Sequence, residues 1–260
     1  MDGAHGDRDG TAPGQQGRSA SSRQADPFTH FIFQAIQAIQ AGIMPFKTIH
    51  DRLFAEHGLQ HWWPAETPFE VMVGAILTQN TAWSNVEKAI CNLKTQDALS
   101  PETMLGVPQT ELAEWIRPSG YFNVKAERLR NYCRWYLEAG GLETLERLET
   151  GELRQRVLSV NGVGPETADD IVLYAFGRPV FVIDTYTRRL FSRLGVIRGD
   201  EGYEELRALV EAGLANEPDR VGLFNQYHAL IVAHAKEYCR KKACCAGCCL
   251  RSQCRGCDGV

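Results

Sequence analysis

The stretch Leu158–Asp184, LSVNGVGPETADDIVLYAFGRPVFVID, decides the fold of this chain. An apolar segment runs into the tight turn Asn161–Gly164, and a helix is predicted from Pro165 to about Phe176 because proline fits the first helical turn. Gly177 is a typical residue at the end of such a helix. Two glycines one residue apart let the backbone approach another molecule closely, and the amides of the turn attract an anion such as a phosphate. An ordinary corner between two helices would show the same short pattern.

A carboxylate stands at the end of this stretch. Asp184 follows the apolar run Val180–Ile183 and precedes a predicted helix that begins at about Thr185. The side chain can cap that helix, which is the common use of an aspartate in this place. It can equally be held, partly desolvated, at a cleft. The residues alone leave both interpretations open.

The two segments VNGVGPETA and VIDTYTRR together resemble the helix-hairpin-helix and Gly/Pro–Asp signature of the endonuclease III superfamily of DNA glycosylases. The resemblance implies that Asp184 is the catalytic carboxylate. It also implies that the hairpin holds the DNA backbone. The hairpin residues assigned to DNA binding are Asn161, Gly162, Val163, Gly164 and Thr167.

Two adjacent tryptophans precede a proline, at Trp62, Trp63 and Pro64. Neighbouring side chains of an extended segment point in opposite directions, so one ring can pack while the other lines a pocket. Both rings can instead be partly buried at a helix junction. The segment resembles the branch of endonuclease III-related 3-methyladenine DNA glycosylases, which implies that these three residues form the base pocket. Lys236 would match a pocket lysine of some members of that branch.

Polar and basic residues outside the hairpin are further candidates for DNA contact. The resemblance implies that Gln79 and Asn80 face DNA, with Gln79 filling the gap left by an extruded base, which an amide can do through hydrogen bonds. Capping of the next helix is the alternative role of this corner. Lys125 and Arg128 lie on one helical face and are expected to touch phosphate, or else to form a solvated face.

Glu166 distinguishes two kinds of glycosylase. In the bifunctional enzymes a lysine two residues beyond the second hairpin glycine forms a Schiff base with the sugar, and here that position is Glu166. A carboxylate cannot do so, and we therefore predict a monofunctional enzyme in which Asp184 stabilises positive charge on the sugar while water attacks. A tryptophan-lined pocket suits a cationic base, so an alkylated purine such as 3-methyladenine is the expected lesion.

Seven of the nine cysteines fall between Cys239 and Cys257. In a chain with no secretion signal this density indicates a metal site rather than disulfides. Cys239, Cys245, Cys248 and Cys254 resemble the C-terminal [4Fe–4S] loop of the superfamily, although the first gap of the family is one residue longer. Cys244 or Cys249 can substitute as a ligand, and zinc is the alternative metal.

Composition bounds the remaining expectations. The 260 residues are 44% hydrophobic, carry a formal charge of −4 and contain no apolar run of membrane length, so we expect a cytoplasmic protein that binds no membrane. The resemblance implies damaged double-stranded DNA as the partner and association with the nucleoid, and a monomer is the default expectation. The net charge argues against nucleic acid, and local basic clusters argue for it.

The helical periodicity predicts an all-α protein with two helical domains, a helix-hairpin-helix motif and a C-terminal iron–sulfur loop. The expected partition is a disordered tail over 1–26, one domain from 27–64 plus 181–260, and a second over 65–180, with the hairpin motif at about 153–176. Two rival functions remain. One is a bifunctional endonuclease III-type glycosylase and lyase acting on oxidised pyrimidines. The other is a non-catalytic iron–sulfur protein that binds DNA.

Overall fold

The computed structural model describes residues 45–257, and the expected tail over 1–26 and the first part of the expected 27–64 segment lie outside that range. The described part is helical and contains no strand, so the all-α prediction is confirmed. Its α-helices are α1 (Phe46–His57), α2 (Pro68–Leu77), α3 (Trp83–Thr95), α4 (Pro101–Gly106), α5 (Gln109–Trp115), α6 (Phe122–Glu138), α7 (Gly141–Leu145), α8 (Thr150–Leu158), α9 (Pro165–Asp170), α10 (Thr185–Leu194), α11 (Tyr203–Gly213) and α12 (Arg220–Glu237).

Local signals set the ends of several helices. Ser100 caps α4 by accepting a hydrogen bond from the Thr103 amide, and α4 opens on a proline. Asp184 caps α10 in the same way. The helix predicted to run from Pro165 to Phe176 is α-helical only as far as Asp170 and continues as a π-helical turn over Ile171–Ala175. Such single π turns are frequent at functional sites.

Apolar side chains form two clusters. The first is built by α2 to α9, with α2 at its centre, where every residue from Glu70 to Leu77 is buried. The second joins α1 to α10, α11 and α12, and includes Phe181, Val182 and Ile183. This partition follows the two expected domains except at Leu173, which packs in the second cluster. The division into domains stays a prediction. In the described residues 45–257, no helix is long and apolar enough to cross a bilayer.

Candidate active site

The Asp184 side chain has both of the roles that the sequence left open. Its Oδ1 accepts a hydrogen bond of 2.7 Å from the Thr187 amide, which caps α10. The residue is only 8% exposed, yet it lines a cavity, and its Oδ2 lies 3.6 Å from Nε2 of His228 on α12. That distance is too long for a hydrogen bond and suits an ion pair. The cap therefore fixes a carboxylate at a cleft.

Asp184 and His228 each stabilise the charged form of the other. Burial by itself would raise the pKa of Asp184, but the His228 imidazole and the Thr187 amide outweigh it and hold the pKa below its ordinary value. Burial would lower the pKa of His228, whereas the neighbouring carboxylates, above all Asp184, raise it. Tyr174 holds the other ring nitrogen, with its hydroxyl 2.7 Å from Nδ1. Asp184 is consequently ionised at neutral pH.

Aromatic rings and charged groups enclose the cavity, which has a volume of about 470 Å³. The Trp62 ring stacks on His228 with centroids 5.9 Å apart, and Trp63 packs against Tyr174 at 5.1 Å. The ammonium of Lys236 lies 5.9 Å from the Trp62 ring. Pro64 does not line this cavity and instead lines a neighbouring one behind Trp63. The expected base-pocket residues other than Pro64 thus share one cavity. Its full lining is Trp62, Trp63, Thr78, Thr81, Ala82, Trp83, Ser84, Glu87, Glu166, Asp170, Asp184, Tyr186, His228, Val232 and Lys236.

Two further carboxyl groups face Asp184 from α9. Glu166 and Asp170 are four residues apart and lie on one face of the helix. Desolvation, reinforced by the Asp184 charge, raises the pKa of Glu166 to about 6. Sequence reasoning treated Glu166 as the replacement of a lysine and overlooked both Asp170 and His228. The spacing of Glu166 and Asp170 could have revealed that pair, whereas a single histidine in a helix carries no signal.

The hairpin forms a second surface close to this cavity. Gly162 has a φ of +94°, the left-handed conformation that glycine adopts without strain. The Gln79 amide donates to the Gly162 carbonyl at 3.1 Å and to Thr167 Oγ1 at 2.9 Å, and Arg128 donates to its oxygen. The open cavity here measures about 620 Å³ and is lined by Gln79, Asn80, Arg128, Gly162, Val163, Gly164, Pro165, Glu166, Thr167 and Tyr203. Most of the expected DNA-binding residues therefore lie together, with Asn161 exposed beside them.

Lys125 does not belong to this surface, so its expected contact with phosphate is wrong. The side chain is 1% exposed, and its ammonium donates to the Leu77 carbonyl at 2.8 Å and to the Ser119 carbonyl at 2.7 Å. The last carbonyls of α2 have no partner within their helix, and Lys125 satisfies one of them. Burial, together with nearby Arg128, lowers the pKa of Lys125 to about 8. The face of α6 that the spacing suggested for DNA is turned inward at this position.

The hairpin turn offers a matched test at its two glycines. A Cβ at Gly162 would clash with the Arg128 side chain, in addition to the strain of positive φ. We expect Gly162→Ala to destabilise the protein by about 1–3 kcal/mol and to weaken binding to duplex DNA. Gly164 has a φ of −93°, and a Cβ added there would meet nothing within 4 Å, so Gly164→Ala is the control. Urea unfolding and DNA titration measure both. Equal effects of the two variants would contradict this account of the turn.

The cysteine loop follows α12 and packs against α10. Its cavity is lined by Cys239, Cys245, Cys248 and Cys254, and also by Cys244, together with apolar side chains of Leu190, Leu194 and Leu250. Cys249 is not in this lining and lies close enough to Arg52 and Glu56 of α1 to feel their charges. The Arg193 guanidinium donates to Cys239 Sγ at 3.2 Å and also binds the Arg240 and Lys241 carbonyls.

The donor set of this loop fits a thiolate-bound cluster. Five cysteines line this largely apolar cavity, and thiolates are the ligands of iron–sulfur clusters. Zinc–thiolate bonds of about 2.3 Å require the sulfurs to converge closely. Within residues 45–257, no three His, Cys, Asp or Glu side chains converge on one ion.

Comparison with known proteins places these features in a family. The model of the HhH-GPD superfamily of base excision DNA repair proteins matches residues 73–215. The chain is 49% identical over 210 residues to "Putative DNA repair glycosylase MJ1434" of Methanocaldococcus jannaschii, and the match covers 79% of this chain and 94% of that protein.

Two solved structures have a similar fold. One is the Helicobacter pylori 3-methyladenine DNA glycosylase MagIII bound to 1,N6-ethenoadenine, with a TM-score of 0.62 and 27% identity, covering 82% of this chain and 98% of that one. The other is an endonuclease III in a non-covalent complex with DNA, with a TM-score of 0.69 and 23% identity, covering 81% and 94%. The family match spans the hairpin and Asp184. The chain therefore belongs to the HhH-GPD superfamily of base-excision DNA repair proteins and is a DNA glycosylase.

Proposed function

We propose that this glycosylase is monofunctional, extrudes an alkylated purine from double-stranded DNA into the aromatic cavity, and hydrolyses its N-glycosidic bond with Asp184. One observation carries the proposal: an ionised carboxylate is fixed by Thr187 and His228 in the wall of a cavity large enough for a base. As the base leaves, positive charge develops on the sugar, and the Asp184 carboxylate stabilises it. Water then adds at the anomeric carbon and leaves an abasic site.

The lining of the cavity supports an alkylated purine as the lesion. Such a base carries positive charge, which favours the π-faces of Trp62 and Trp63 and the negative charges of Asp184 and Glu166. The similar fold of a structure named as a 3-methyladenine DNA glycosylase, at 27% identity, points the same way. The hairpin and Gln79 lie next to the cavity, where they would hold the backbone and fill the gap in the duplex.

Release of bases from defined duplexes tests this function. The substrates carry an alkylated purine, an oxidised pyrimidine, uracil or a thymine mismatch, and strand breaks are measured with and without alkali. Breaks that need alkali support a monofunctional glycosylase and identify the lesion. Breaks without alkali favour the bifunctional rival. Binding to abasic DNA without release of any base favours the non-catalytic rival.

The amines that line the cavity provide a sharper test of lyase activity, because a lyase needs an amine to form a Schiff base. Among the lining residues only Lys236 carries an amine, while Glu166 lies where a Schiff-base lysine would lie. We expect borohydride to trap no covalent complex of the wild-type enzyme with DNA. Glu166→Lys is expected to trap one, because an amine then enters the wall beside Asp184.

Lys236→Met is the control for the bifunctional rival. If the wild-type enzyme is trapped and this variant is not, Lys236 is the nucleophile and the monofunctional proposal is wrong. If Glu166→Lys is not trapped although it still releases the base, position 166 does not reach the anomeric carbon.

We also propose that Cys239, Cys245, Cys248 and Cys254 hold a [4Fe–4S] cluster. Their common cavity supports this set, and the position of Cys249 outside it argues against Cys249 as a ligand. Cys244 lines the same cavity and stays the alternative to Cys245. The cluster would supply a covalent cross-link of the loop. Arg193 already ties the loop to α10, and the basic residues Arg240, Lys241 and Lys242 would then face the DNA backbone as an ordered group. We propose that the enzyme acts as a monomer.

A further inference from the structure

Asp170 is a buried carboxyl group that has no role in the hydrolysis proposed for Asp184. It is 6% exposed and lines the same cavity as Asp184. Its Oδ1 is buried and has no hydrogen-bond partner among the described residues. Leaving a buried polar atom unpaired costs stability, so such an atom in a cavity wall is a candidate to bind a ligand.

The surroundings of Asp170 decide its protonation state. Burial raises its pKa well above the ordinary value; the His228 charge opposes this, while Glu166, Asp184 and Asp169 reinforce it. The hydroxyl groups of Tyr174 and Tyr203 lie close enough to Asp170 for its charge to raise their pKa values. A neutral carboxyl offers one O–H donor and one acceptor oxygen. The surroundings thus favour the ionised form of Asp184 and the neutral form of Asp170, and such a separation of two carboxyl groups distinguishes a base from an acid.

We propose that Asp170 donates its proton to the extruded base as the N-glycosidic bond breaks, so that the cavity excises uncharged lesion bases as well as cationic ones. This inference rests on the proposed glycosylase function. A cationic alkylated purine needs no proton to leave, whereas an uncharged base does. In this proposal Asp184, paired with His228, acts on the sugar, and Asp170 acts on the base.

Atoms and electrons balance in this step. The O–H bond of Asp170 breaks and an N–H or O–H bond forms on the base, while the C1′–N bond breaks and its electron pair stays with the base. The sugar cation, stabilised by Asp184, takes up water and releases a proton to solvent. Asp170 then regains its proton from solvent. The products are the free neutral base and an abasic site, and no oxidant or reductant is required.

The test compares two classes of lesion in one enzyme. Duplexes carry 7-methylguanine as the cationic base and either hypoxanthine or 1,N6-ethenoadenine as the uncharged base. The readout is the ratio of kcat/KM for uncharged over cationic lesions. General acids contribute about 10²–10⁴-fold, so we expect Asp170→Asn to lower this ratio by about 10²-fold or more. Glu166→Gln, the same change four residues earlier on the same face, removes a negative charge that favours the cationic base and should not lower the ratio. Asp219→Asn, at the cap of α12 and outside the cavity lining, is the control that should leave the ratio close to that of the wild type.

The outcomes separate this inference from the function on which it rests. If the wild type releases the cationic base and neither uncharged base, the inference is overturned and the glycosylase function stands. If the wild type releases no base, both fail. If Asp170→Asn lowers both activities equally, Asp170 has only a structural role. If Glu166→Gln lowers the ratio instead, Glu166 is the donor.

An independent readout follows from the pH dependence of unfolding. A carboxyl that is protonated in the folded state and ionised in the unfolded state loses stability as pH rises, because the folded state binds more protons. Asparagine cannot ionise. The Tm of Asp170→Asn relative to the wild type should therefore increase between about pH 4 and pH 8. A constant difference over that range would show that Asp170 is ionised in the folded protein and would overturn the proposal.

Discussion

Replacing Asp184 by asparagine is expected to lower kcat for base release by about 10³-fold or more, the scale on which preorganised electrostatic groups act. Asparagine keeps the shape of the side chain and is itself a good helix cap, so the α10 end that Thr187 completes should persist. The loss would then come from the missing negative charge beside the sugar. Single-turnover release of the base from a lesion-bearing duplex measures it.

A second aspartate provides the control for this substitution. Asp219 caps α12 by accepting a hydrogen bond of 2.9 Å from the Gly222 amide, and it is not among the residues that line the cavity. Asp219→Asn is expected to change release by less than about threefold, because it alters a helix cap and no charge at the site. Comparable losses in the two variants would mean that Asp184 acts only as a cap and would contradict its catalytic assignment.

Removing Arg154 is expected to have the largest effect on stability. Its guanidinium forms two bonds to the carboxylate of Asp169, at 2.5 and 3.1 Å, and links α8 to α9 across the hairpin motif. Tyr203 of α11 donates to the same carboxylate at 2.8 Å, and Glu204 binds Arg154 at 2.7 Å. Without Arg154 the buried Asp169 carboxylate keeps only Tyr203 and the Arg207 guanidinium, 4.0 Å away, so Arg154→Met should lower the free energy of unfolding by about 3 kcal/mol, the lower end for a broken buried pair.

The same helix contains the control for this prediction. Arg156 pairs with Glu152 across one turn of α8, and both side chains are about half exposed. Arg156→Met should cost less than about 0.5 kcal/mol, the usual scale of an exposed pair at this spacing. Urea unfolding at pH 7 compares the two variants. A loss below about 1 kcal/mol for Arg154→Met would indicate that Asp169 is neutral and that the pair is not the tie between α8, α9 and α11.

The hairpin and the cavity have different physical origins. The turn at Gly162 is a local feature. Its positive φ, the proline that follows and the start of the next helix all depend on residues close together in the sequence. The cavity is a meeting of distant segments. Its walls come from the Trp62–Trp63 segment, the start of α3, α9, the start of α10 and α12, and no local pattern predicts which side chains of these elements meet.

The sequence by itself determined the helical class, the hairpin turn, the capping by Asp184 and the cysteine spacing, because each depends on neighbouring residues. It also shows Glu166 at the position where, by the resemblance, bifunctional enzymes have a Schiff-base lysine. These features follow from backbone conformation and short-range hydrogen bonds, which act within a few residues of the chain.

Only the tertiary structure decided which charged groups are buried and beside what. Lys125 is buried because its helical face meets the end of α2, a contact between residues 48 positions apart. His228 becomes the partner of Asp184, and Asp170 becomes a buried acid, only when α9, α10 and α12 pack around one cavity. Burial and the charges of distant neighbours set these protonation states, and neither is encoded in local spacing.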